Sequence, residues 1–230
     1  MLRGIFSPDN PVWRFFILVG RIWWLNILWL ICSLPIFTIG ASTTALIYSC
    51  MKLRKDEGYP TENFFKSFKQ NFKQGTLLGL IYIFAGALIG LGLIFWNHST
   101  IPGAKLAWAV VLCIGILYFI SILYVFAIQS RFINPIKDTI RYSILMAFTN
   151  FKETVFIALI VIGLVFANLF SMIVVTFVTV NIGLAIVMYL IAMHYEEVFK
   201  KYMPEPEAQE SYLDVLEREV ESGKKKRRYR

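Results

Sequence analysis

The residues best equipped for chemistry are few and widely spaced. His98 and His194 are the two histidines, and they stand nearly a hundred positions apart. Cys32, Cys50 and Cys113 fall in or beside apolar runs without metal-ligand spacing, so they read as small packing residues. All 15 Asp and Glu lie in predicted loops, termini or the tail, none at the centre of an apolar run. Proton- or cation-coupled transport usually uses an ionisable group inside the membrane, and its absence counts against that mechanism. A sodium-type site made of backbone and hydroxyl oxygens stays open around the broken segment Pro35–Gly40. Asn26, Asn168 and Asn181 are the notable polar residues in or near apolar runs, and interhelical hydrogen bonding is their expected role. No G-x-S-x-G, H-E-x-x-H or phosphate-cradling glycine loop occurs. The sequence therefore offers no catalytic residue, cofactor site or metal site, and the chain reads as a non-enzyme.

The elements that must position these residues are membrane helices. Of 230 residues 57% are hydrophobic and 17% charged, against about 45–50% and about 25% in soluble domains. Runs 22–51, 75–104, 106–130 and 154–195 contain no Lys, Arg, Asp or Glu. Each exceeds the roughly 20 residues that a helix needs to cross hydrocarbon. Their continuity selects helices over barrel strands. The net charge of +8 is explained by cytoplasmic flanks of membrane helices rather than by nucleic acid. The N-terminus lacks a short apolar core with a small-residue cleavage site, so no removable signal peptide is expected.

Helix is expected from about Val12. Residues 12–51 number 40, about 60 Å as one helix, and Pro35 and Gly40 mark where that length breaks. Either the chain turns at 35–40 and returns through Ala41–Met51, or one kinked helix ends in an interfacial segment. The hairpin is favoured because it puts Arg3, Arg14 and Arg21 on the same side as the basic stretch 52–73. Within residues 61–74, Phe65, Phe68 and Phe72 recur at helical spacing with Lys66, Lys69 and Lys73 offset by one, predicting a short amphipathic surface helix capped by Thr61. Residues 75–96 form the third crossing, with Gly86 and Gly90 as a small-xxx-small pair. Residues 97–103 make a turn, and 106–128 cross back.

Asn134-Pro135 reads as a cap with proline at the first helical position. A second amphipathic helix follows, with Ile133, Ile136, Ile140, Ile144, Phe148 and Phe151 as its apolar stripe. Asn71-Phe72-Lys73-Gln74 and Asn150-Phe151-Lys152-Glu153 hint at an internal repeat, each before a pair of crossings. Residues 154–195 suit two crossings with a turn near 176–183. The expected fold is all-α and polytopic, with six crossings as three hairpins (alternatively five) and two amphipathic cytoplasmic-surface helices. Its domains are 1–203, transmembrane, and 204–230, a charged cytoplasmic tail suited to anionic lipid or a partner. Of the 23 Lys and Arg, all but Lys105 then share one side, which makes both termini cytoplasmic.

The run 34–46 (Leu-Pro-Ile-Phe-Thr-Ile-Gly-Ala-Ser-Thr-Thr-Ala-Leu), with Asp56-Glu57-Gly58-Tyr59, the run 68–74 and the closing Phe199-Lys200-Lys201-Tyr202, resembles the YesL family of bacterial membrane proteins over residues 1–203. That resemblance implies a cell-membrane protein of Gram-positive bacteria, without assigned biochemistry, associated with sugar ABC importers and polysaccharide-degrading enzymes. It implies an accessory integral membrane subunit packing against the permease subunits of an oligosaccharide importer. The turn 56–58 is similar to the coupling loop of such permeases, though without the Glu-Ala-Ala start or Leu-Pro end. Pro35, Thr38, Gly40, Asp56, Glu57, Gly58, Phe65, Phe68 and Phe72 are the expected partner contacts. The alternatives are a self-sufficient transporter or channel, possible as a homo-oligomer, and a sensor or scaffold working through the tail.

Overall fold

The computed structural model describes residues 11–170 and 183–203. The chain divides into two compact units, Met1–Tyr195 and Glu196–Arg230. The described elements are all helical: α1 (Pro11–Ser33), a 3₁₀ turn (Ile36–Thr38), α2 (Ile39–Arg54), α3 (Pro60–His98), α4 (Ala104–Arg131), α5 (Ile136–Thr149), α6 (Phe151–Phe170) and α7 (Leu184–Lys200). Among the described residues α1, α2, α3, α4 and α6 are long and apolar enough to cross a membrane. The expected sixth crossing involves α7 and the turn near 176–183, most of which lies outside the described residues, as does the tail 204–230.

The turn at 35–40 produces the hairpin. Pro35 follows α1 in extended backbone (φ −73°, ψ 112°). Thr38 Oγ1 lies 2.6 Å from the carbonyls of both Cys32 and Pro35 and shares its one proton between them, so the Cys32 carbonyl, left open by the end of α1, gains a donor. The antiparallel return is then fixed along its length. Ser33 and Ser42 share a hydrogen bond at 2.6 Å, and Trp29 Nε1 donates to Thr43 Oγ1 at 3.1 Å. At the far end Arg21 Nη1 reaches Asp56 Oδ1 at 3.3 Å, and Trp24 Nε1 donates to Thr61 Oγ1 at 2.9 Å.

α2 is the least apolar of the five spanning helices and the most enclosed. Gly40, Ala41, Ser42, Thr44, Ala45 and Ser49 are all buried. In lipid no hydrophobic force draws apolar helices together, so small faces that allow close backbone approach go inside. Thr44 and Ser49 return their hydroxyl protons to carbonyls one turn back, at 2.8 Å each, which leaves them no unsatisfied donor.

Residues 60–98 depart from expectation. The amphipathic segment and the third crossing are one continuous helix, 39 residues long, or about 58 Å. The polar Gln74-Gly75 junction looks like a boundary, but nothing there breaks a helix. The start is Pro60 at the first helical position behind extended Tyr59. Thr61 is therefore not the cap; its hydroxyl receives the Trp24 proton. Its inward face carries Phe64, Ser67, Gly75, Leu78, Gly79 and Tyr82, while Phe65 and Phe72 are exposed.

The glycine contact also falls elsewhere than expected. A Cβ on Gly86 would meet Tyr118 Oη, and Gly90 has nothing within 4 Å. The close approach joins α2 to α3 instead, through Gly40, Gly75 and Gly79.

α4 returns after a turn closed by Gly103 at φ +90°, a conformation that glycine adopts without strain. Pro135, not Asn134, occupies the cap position of α5. The expected stripe divides: Ile136 and Ile140 pack against the core of Leu78, Tyr82 and Val125, while its other members do not all follow. Thr139, Ser143, Met146, Ala147 and Asn150 are buried, whereas Ile133, Leu145, Phe148 and Phe151 are exposed. Asn71 and Asn150, the leading residues of the repeated tetrapeptides, both donate their amide to a carbonyl four residues back, at 3.1 and 3.0 Å. Asn71 lies within unbroken α3, and Asn150 stands at the break between α5 and α6.

Candidate functional site on the basic side

The basic ends of α1, α2, α3, α4 and α6 lie on one side of the bundle. Contacts between Arg21 and Asp56, Gln129 and Asn71, and Gln74 and the Asn134 carbonyl join the first four there, and Tyr124 of α4 bonds Thr154 at the start of α6. Three features face that side.

The first is the loop between α2 and α3. Asp56 (φ 53°) and Gly58 (φ 69°) take left-handed backbone, a region in which Asp is tolerated and Gly is at ease. The Glu57 amide donates to the Lys52 carbonyl at 3.0 Å, and Asn63 Nδ2 donates to the Glu57 carbonyl at 2.7 Å. The Glu57 carboxylate pairs with the Lys52 ammonium. That hydrogen bond, with the charges of Lys52, Lys55 and Arg131, holds the Glu57 carboxyl below its ordinary range. The loop is thus internally fixed, yet Asp56, Glu57, Gly58 and Tyr59 are all exposed, Tyr59 to 72%.

The second feature is a cavity of about 460 Å³ between α2, α3 and α4. Its polar wall consists of Tyr48, Gln70, Asn71, Gln74, Gln129 and Arg131. Gln129 Nε2 donates to Asn71 Oδ1 at 3.0 Å, which fixes the amide and turns Oε1 away. That Oε1 and the Nε of Arg131 are buried and find no hydrogen-bond partner among the described residues. Unsatisfied groups of this kind suit a ligand that both donates and accepts.

The third is a pair that the spacing concealed. His194 Nδ1 bonds the Glu153 carboxylate, and the imidazole lies 4.3 Å from the Phe156 ring centre. Glu153 and His194 stand at opposite ends of one long uncharged run in the sequence. A hairpin brings such flanks together, and that is the signal by which the pair is recognisable. His98 is exposed at the far end of α3, so the two histidines are not brought together.

The expected contact residues do not form one surface. Thr38 and Gly40 are buried within the chain. Gly40 packs against α3, and Pro35 is exposed at the other end of α2 from Asp56, Glu57 and Gly58. Phe68 is half-buried in a ladder of rings, stacked on Phe64 at 6.2 Å and edge-on to Phe72 at 5.4 Å. Phe64, fully buried, is the inward aromatic that the Phe65, Phe68, Phe72 pattern overlooks. Asn26 behaves as expected, its Oδ1 accepting from the Ala185 amide at the start of α7, 3.1 Å away. Asn168 donates to the Leu164 carbonyl in its own helix at 2.8 Å, and Asn181 lies outside the described residues.

Deeper between α3, α4 and α5, Ser121 joins Tyr82 and Ser143, the latter at 2.6 Å, and Tyr118 Oη donates to the Tyr82 carbonyl at 2.9 Å. This network ties three helices through buried hydroxyls that each find a partner.

Residues 22–93 match a family described as "Protein of unknown function, DUF624". The match covers the second half of α1, all of α2 and the loop, and α3 to within a few residues of its end. No curated protein matches the chain, and no solved structure does.

Proposed function

We propose that this chain is a YesL-like accessory membrane subunit of a bacterial oligosaccharide ABC importer, seated against the importer's permease subunits with its basic side in the cytoplasm. The family match at 22–93 is consistent with that resemblance and brackets the α1–α2–α3 hairpin and its loop. The observation that carries the reading is the loop itself. It is fixed by its own hydrogen bonds while presenting Tyr59 and the carboxylates of Asp56 and Glu57 outward. A pre-ordered loop loses little conformational freedom on binding, and tyrosine is a favoured interface anchor.

Affinity purification of the tagged full chain from its native membranes in mild detergent tests this. The expected result is co-purification of two permease subunits identified by mass, with recovery falling in Tyr59→Ala. Recovery of the chain alone, under conditions that keep the permease pair intact, overturns it.

The cavity of Gln70, Asn71, Gln74 and Gln129 favours a second reading, in which the chain binds and moves a small polar solute by itself. Amides are well matched to hydroxyl-rich solutes because each both donates and accepts. Solute flux in liposomes containing only this chain supports the second reading; its absence, together with co-purification, supports the first.

A further inference from the structure

On the other side of the α2 end, the chain builds a second cavity of about 370 Å³. Its lining includes Arg14 and Arg21 from α1, Arg54 and Asp56 from the end of α2 and the loop, and Tyr189 from α7. Arg14 and Arg21 are seven residues apart, two helical turns, and so share a face. Among the described lining residues the carboxylate is that of Asp56, which is 88% exposed at the rim, 3.3 Å from Arg21. Arg54 lies over the Tyr189 ring, 5.3 Å from its centre. Stacking of that kind fixes the guanidinium plane. Its Nε is buried and has no hydrogen-bond partner among the described residues.

We infer that this pocket binds a phosphate group. Arg21 already pairs with Asp56, whereas Arg54 is a fixed guanidinium with an N–H unused among the described residues, which offers the charge-assisted donors that phosphate oxygens accept. The remaining wall is apolar, formed by Ile17, Leu18 and Leu53. Phe15 and Phe16, between Arg14 and Arg21 on α1, are more than half exposed. A charged mouth beside an apolar strip at the end of a membrane helix has the layout of a phospholipid: headgroup in the pocket, chains along α1. A soluble phosphate ester offers the same chemistry to the same arginines. A snorkelling arginine needs neither a second and third guanidinium nor a ring beneath it.

The test uses the full chain in detergent, with bound lipid read by native mass spectrometry and thermal shift. Phosphatidylglycerol, phosphatidylcholine and inorganic phosphate are supplied separately. Phosphatidylglycerol is expected to bind and to raise the midpoint more than phosphatidylcholine does. Arg54→Gln and Arg21→Gln are each expected to weaken it about tenfold, the loss of one charge-assisted hydrogen bond. Lys66→Gln, which removes a charge on the same side outside the pocket, is expected to leave it unchanged. Competition by inorganic phosphate identifies a soluble source; its failure to compete identifies the lipid. Should Arg54→Gln not fold, Arg54→Lys keeps the charge and is expected to bind more weakly than wild type. Failure of both phosphatidylglycerol and inorganic phosphate to bind, or equal losses in Lys66→Gln and the arginine variants, overturns the inference.

Discussion

Gly40 and Gly79 meet backbone to backbone: a Cβ built on Gly40 would lie 2.8 Å from the Gly79 Cα and run into the Gly75 carbonyl oxygen. Neither neighbour is the flexible end of a side chain, so relief requires moving α2 away from α3.

Gly40→Ala is therefore expected to destabilise the protein by about 1–3 kcal/mol, the usual cost of overpacking. Gly90→Ala, with nothing within 4 Å, is expected to be neutral or slightly stabilising through helix propensity. Thermal unfolding in one detergent, followed by tryptophan fluorescence, checks both. Equal midpoints for the two variants would remove the close contact from the account.

The two faces of α5 make a second expectation. Ser143 is fully buried and Leu145 is 53% exposed. Ser143→Leu inserts bulk among α3, α4 and α5 and is expected to cost more than 1 kcal/mol, on the order of other overpacked sites. Leu145→Ala, facing outward, is expected to change stability by about 0.5 kcal/mol or less. The opposite order would contradict the inward placement of Ser143.

The hydroxyl cluster makes a third. Tyr82→Phe and Ser121→Ala both remove the Tyr82–Ser121 bond, so their effects are expected to be non-additive. The coupling energy should fall within about 0.6–1.7 kcal/mol, the range met between membrane helices. A double-mutant cycle on unfolding free energies measures it; strict additivity would mean that the bond contributes nothing.

These three sites also show what the residues reveal in advance. The hairpin at Pro35 was legible because charge and length both demand it: Arg21 had to share a side with Lys52. The five spanning helices were legible for the same reason. The continuity of α3 was not, because a switch from lysine-rich to apolar at Gln74–Gly75 changes the solvent and leaves the backbone helical. The inward face of α5 was only partly legible, because the Ile and Phe stripe gives no sign of where it divides between core and surface. In α5 Ile136 and Ile140 pack on the core beside buried Thr139 and Ser143, while Leu145 and Phe148 are exposed. The two cavities rest on residues from separate helices, Gln70 with Gln129 and Arg21 with Arg54. Spacing along one chain carries no sign of such pairs.

Acid should loosen the loop between α2 and α3. The Lys52 hydrogen bond lowers the Glu57 carboxyl below its ordinary 4.5. Its stabilising effect is then fully present above that value and is lost only as pH falls through the lower folded one. Trp24, bonded to Thr61 just beyond the loop, is a local reporter, best read in a background with the other tryptophans replaced. Its emission is expected to hold steady down to pH 5 and to change below 4.5. Lys52→Met should move that change upward. An identical profile in Lys52→Met would separate Glu57 from Lys52.

The most direct test of the account is thiol labelling of Lys66→Cys and Arg141→Cys, each in a background lacking Cys32, Cys50 and Cys113, with a reagent that cannot cross membranes. Both positions are expected to stay unlabelled in intact cells and to react once the cells are opened, because one basic side holds both. Labelling of one in intact cells and not the other would place them on opposite faces, contradicting the hairpin architecture and every site built on its basic side.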